Sequence, residues 1–80
     1  MYVMSDMVGK TVTVTVKSEG KQFSGTLERV GGSEYRVEDR QRGLVARFYK
    51  SNVDEVIPAV PGVFDAKIVV HMVHNVQRSR

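Results

Sequence analysis

The sequence predicts an all-β fold: a small antiparallel barrel of five strongly bent strands, with a short N-terminal turn and one additional C-terminal strand. Three observations carry this expectation. Residues 11–16 alternate threonine and valine without a break, the period of a half-buried strand built from β-branched residues. Between residues 11 and 57 the apolar runs are short and are separated by polar or glycine-containing turns, the spacing of a small barrel. Gly25 stands inside the second run, where a strand accepts glycine only at a bend or a close backbone approach.

Taken in order, residues 1–9 form a leader. Ser5 can cap a single helical turn carrying Met4, Met7 and Val8, and Gly9 ends it. The first strand, 11–17, turns Val12, Val14 and Val16 inward. Ser18, Glu19 and Gly20 make a hairpin loop, with Gly20 supplying the positive φ. The second strand, 21–30, places Phe23, Gly25 and Leu27 on one face, whereas Val30 falls on the opposite parity, as at a bulge.

The third strand, 34–39, has Tyr35 and Val37 inward. Residues 40–43 are a polar turn. The fourth strand, 44–50, has Leu44, Ala46 and Phe48 on one face and Val45, Arg47 and Tyr49 on the other. After Ser51 and Asn52 comes a short fifth strand, 53–57, closed by Pro58 and Pro61-Gly62.

The C-terminal extension, 63–80, is richest in Val and Ile over 67–76. This favours a sixth strand with Val70, Met72, His74 and Val76 on one face. A helix starting near Asp65 would instead align Phe64, Ile68, Met72 and Val76 in one stripe. Residues 77–80 read as a frayed basic tail.

The 80 residues make one domain, with the barrel core at 10–58. A chain this short buries a modest core and usually needs a disulfide, a metal or a partner chain as support. It has no cysteine, so disulfides and thiolate metal sites are excluded and self-association is the natural support. The net charge is +3: residues 1–60 carry 9 − 8 = +1 and residues 61–80 carry 3 − 1 = +2. A ring would focus this mild excess around one axis and attract polyanions. The N-terminus reads as no signal peptide, and no apolar run is long enough to span a bilayer, so the expected setting is the cytoplasm, with no membrane partner.

Two segments carry a family resemblance. Phe23-Ser24-Gly25-Thr26-Leu27-Glu28, with its internal glycine, and Phe48-Tyr49-Lys50-Ser51-Asn52-Val53 through Val56-Ile57-Pro58 resemble the second-strand and fourth-to-fifth-strand motifs of the Sm-like proteins, the Hfq-like branch included. The likeness spans about fifty residues, counted from Val12 to Pro61. It implies a homo-oligomeric ring of about five to seven subunits, in which the fourth strand of one copy pairs with the fifth of the next. Such pairing would also cover the fifth strand, 53–57, which is an edge, and the fourth, which is apolar on both faces.

The resemblance further implies a single-stranded RNA ligand held by the loop after strand two (Gly31, Gly32, Ser33, Glu34) and the loop after strand four (Lys50, Ser51, Asn52). Lys50 would meet phosphate, Asn52 a base edge and Tyr49 a base face. Tyr35 fits core packing better. The chain departs from the pattern at Ser51, where the Hfq-like branch has histidine, and at Glu34, near a position often asparagine. A carboxylate beside RNA phosphate is unfavourable unless it accepts from a base. Arg40, Arg42 and Arg47 offer either a lateral phosphate surface or ordinary solvated charge.

Nothing in the sequence points to an enzyme or a cofactor. His71 and His74, three apart, would point to opposite faces of a strand and share no metal; on a helix they could share a ligand, with Asp65 alone in reach as a third, and two surface or interface histidines are the commoner reading. The second functional expectation is a small SH3-like barrel acting as a protein-interaction or phage-type structural adaptor that binds no RNA.

Overall fold

In the computed structural model, which describes residues 4–79, the Thr/Val alternation becomes strand β1 (Thr11–Val16), with Val12, Val14 and Val16 fully buried. The leader contributes one 3-10 turn, Met4–Met7, whose two methionines close one end of the core, and Gly9 redirects the chain at φ +87°. The rest of the chain forms β2 (Lys21–Gly31), β3 (Glu34–Asp39), β4 (Leu44–Tyr49), a second 3-10 turn (Lys50–Asn52), β5 (Val53–Ile57), β6 (Ala66–Val70) and β7 (Asn75–Arg78). All seven strands lie in one sheet of order β5-β6-β1-β2-β3-β4-β7.

Two expectations about β2 have a direct physical basis in the structure. Gly25 faces Val12 across the β1·β2 ladder, and a methyl group placed on it would overlap the Glu38 carbonyl oxygen and lie 2.7 Å from the carbonyl carbon. Close backbone approach is therefore what requires glycine there. The parity change at Val30 is a register shift between Arg29 and Gly31, which leaves Val30 exposed. Asp39, 4% exposed, fastens the β3–β4 turn to β2: its carboxylate accepts the Ser24 N–H at 3.0 Å and the Arg42 N–H at 3.1 Å.

The fold departs from five antiparallel strands plus one. The extension supplies two strands, so the sheet has seven, and β6 runs parallel to β1, with Val12 opposite Ala66 and Val16 opposite Val70. Ala66, Ile68 and Val70 alternate inward, but the next buried residue is Val73, not Met72. That slip breaks the expected single strand over 67–76 into two, with a turn at 71–74. Nor are residues 77 and 78 a frayed tail. Gln77 and Arg78 pair with Val45 and Leu44, because the outer edge of β4 otherwise presents unpaired backbone groups. Arg80 lies outside the described residues.

The sheet curls strongly. β4 and β5 stand towards opposite ends of the strand order, yet only Lys50–Asn52 separates them in the chain. Residues 71–74 make a second short crossing, from β6 to β7. Both ends of the sheet are thus drawn to these two connectors, although β5 and β7 are not hydrogen-bonded neighbours.

Candidate nucleic-acid interface

The two expected ligand loops meet because β3 and β4 are paired to their ends. Glu34 is opposite Tyr49, and the Lys50 N–H donates to the Ser33 carbonyl at 2.8 Å. Ser33, Glu34, Tyr49 and Lys50 therefore form one rim. Ser51 and Asn52 continue it through the 3-10 turn, where the Asn52 carbonyl accepts the His71 N–H at 2.7 Å. Tyr35 lies in the core, with its ring against Phe48.

Two residues that the sequence did not place at the rim complete it. His74 stacks on Tyr49, ring centres 4.0 Å apart and planes 11° from parallel. Its Nε2 lies 2.7 Å from a Glu34 carboxylate oxygen, a distance at which the ring N–H donates to the carboxylate. Arg47 approaches the same oxygen at 3.9 Å, and its carbonyl accepts the His74 N–H at 3.0 Å. The Arg47 Nε is enclosed without an acceptor among the described residues. The expectation that His71 and His74 sit on one strand is corrected: both lie in the turn between β6 and β7, where His74 reaches the rim. No signal in the sequence marked His74, because its position depends on the parity slip at residues 71–73.

The carboxylate of Glu34 is thus tied down by a histidine and an arginine instead of facing the rim unopposed. Lys50 is exposed and has no ion pair among the described residues, so its charge is available. Tyr49 is 43% exposed although it is stacked, which leaves an aromatic surface open at the rim. Chemically, the arrangement offers one exposed cation, one stacked aromatic pair and the amide and hydroxyl groups of Asn52, Ser33 and Ser51.

The lateral arginines do not assemble into a patch. Arg42 faces the buried Asp39 at 3.8 Å, while Arg47 belongs to the rim at the far end of the β3·β4 hairpin. Arg40 lines a shallow groove together with the carboxylates of Glu28 and Glu38, which are themselves bridged by Arg36. A second groove, between the leader and the loop after β5, is lined by Asp6, Met7, Lys10, Pro58 and Asp65 and shares no residue with the rim.

Among the described residues, no three His, Cys, Asp or Glu side chains converge in a way that could hold a metal ion, and no helix is long and apolar enough to cross a membrane. Comparison with protein-family models, with curated proteins and with solved structures found no match in any of the three.

Proposed function

We propose that this chain is an Sm-like, ring-forming protein of the cytoplasm that holds single-stranded RNA at the rim formed by Ser33, Glu34, Tyr49, Lys50, Ser51 and Asn52. One observation carries the reading: an exposed tyrosine, already stacked on His74, stands beside Lys50, which has no ion pair among the described residues, while the carboxylate of Glu34 is engaged by His74 and Arg47. A base laid on Tyr49 extends an existing stack, and Lys50 meets the adjoining phosphate. The chain order of β1 to β5 and the glycine that close backbone approach requires in β2 support the family reading, although β6 stands between β5 and β1 in the sheet.

The test is fluorescence anisotropy with labelled oligouridine and oligoadenosine. Tyr49→Ala is expected to cost about 1–3 kcal/mol, roughly 5- to 150-fold in affinity. Lys50→Ala is expected to weaken binding and to reduce the salt slope by about 0.7, with little change in the mass of the assembly. Wild-type protein that binds neither oligonucleotide, or variants whose curves match it, would transfer the assignment to the adaptor reading. One observation favours that second reading. The outer edge of β4, which the family uses to join subunits, is occupied by β7.

A further inference from the structure

The sheet is open, so it has two edges, and the strand order makes them β5 and β7. On β7 the direction of the free groups can be worked out. Ser79 N–H donates to the Gly43 carbonyl, and the register runs Leu44–Arg78, Val45–Gln77, Ala46–Val76. Antiparallel pairs alternate between hydrogen-bonded and not, so the amides of Val76 and Arg78 point away from β4. On β5, β6 occupies one side and no strand among the described residues occupies the other.

Both edges also adjoin incompletely covered apolar surface. Val53 and Val56 of β5, and Leu44 beside β7, pack on the core but are only partly buried, and Val76 is 41% exposed. The edges carry opposite charge. β5 presents Glu55 and Asp54, the latter paired with Lys17 at 3.6 Å, whereas β7 presents Arg78 and no acid. Glu55 and Arg78 have no ion-pair partner among the described residues.

We infer that copies of this chain join head to tail, with the β7 edge of one laid along the β5 edge of the next to continue a single sheet. Laying β7 along β5 brings Arg78 to the edge that carries Glu55, a charge complement that neither β5 on β5 nor β7 on β7 offers. Two unlike edges make a heterologous contact, which closes into a ring when the rotation per copy allows it. The inference rests on the proposed assembly and gives it an interface that leaves β7 in place on β4. Its test reads mass and cross-links, not RNA, so a ring without the β7–β5 cross-link overturns this interface alone, whereas a single-chain mass overturns the ring as well.

The chain has no cysteine, which makes cross-linking clean. Glu55 lies opposite Val69 and Gln77 opposite Val45, both on the face away from the core. Glu55→Cys and Gln77→Cys are made in separate chains and oxidised, alone and mixed. The mixture is expected to form a disulfide dimer and neither variant alone to do so. Light scattering on the wild type is expected to give a multiple of the 9.0 kDa chain. Arg78→Pro removes an outward amide and no internal hydrogen bond, so it is expected to reduce the mass to one chain while the β-type circular dichroism persists. A single-chain mass for the wild type, dimers formed by either cysteine variant alone, or a folded Arg78→Pro protein of unchanged mass would each overturn the inference. If Arg78→Pro does not fold, the mixed cross-link still decides.

Discussion

Gly25→Ala is the sharpest test of the fold. In an ordinary strand this change stabilises by about 0.5–1 kcal/mol, because alanine loses less backbone entropy. Here the new methyl overlaps the Glu38 carbonyl oxygen and lies 2.7 Å from its carbon, against the roughly 3.4 Å at which carbon atoms begin ordinary contact. The carbonyl is backbone within the β2·β3 ladder and cannot swing aside as a side chain would. Relieving the overlap means separating β2 from β3 near Thr26–Glu38, stretching one or two hydrogen bonds worth about 0.5–1.5 kcal/mol each. Displaced neighbours, Leu27 and Val37 among them, add about 1–3 kcal/mol.

The expected net loss is about 3 kcal/mol, a large share of the roughly 4–12 kcal/mol available to a chain of this size. In a thermal melt followed by circular dichroism, Tm should fall by about 12–24 °C. A variant as stable as the wild type, or more stable, would refute the close-approach argument, because the propensity term alone has the opposite sign.

Three further outcomes are expected. Asp39→Ala deprives the Ser24 and Arg42 amides of their acceptor and should cost about 2 kcal/mol, read as a lower urea midpoint. Ile68→Ala, at a fully buried site in β6, should cost about 2–5 kcal/mol, whereas Met72→Ala, at a 42% exposed site, should change stability by about 0.5 kcal/mol or less; equal losses at both would favour the helical stripe over the strand. His74→Ala frees the Glu34 carboxylate and removes the stacking partner of Tyr49, so oligonucleotide affinity should fall; adding Glu34→Gln should recover the part due to charge, and no recovery would show that the loss came from stacking alone.

The first five strands were legible because each rule that placed them acts within one strand or one turn. The Thr/Val alternation, the glycine at the head of a hairpin and the parity change at Val30 are local, and each corresponds to an element found. The rim was half legible. The chain order puts Tyr49, Lys50, Ser51 and Asn52 together, and pairing of β3 with β4 brings Ser33 and Glu34 to them. Arg47 and His74 were not legible as rim residues, because what draws them there is Glu34, forty positions away from the histidine.

By itself, then, the sequence determined an all-β chain with a glycine-dependent second strand and a short turn carrying Lys50. Only the tertiary structure decided that the valine-rich extension splits, sends β6 alongside β1 in parallel and β7 onto β4, and leaves β5 and β7 as the two edges. Alternation tells a strand which face to bury. Which neighbour it hydrogen-bonds, and in which direction, depends on backbone groups that are alike in every residue except proline, and their pairing is settled only when the whole sheet has curled.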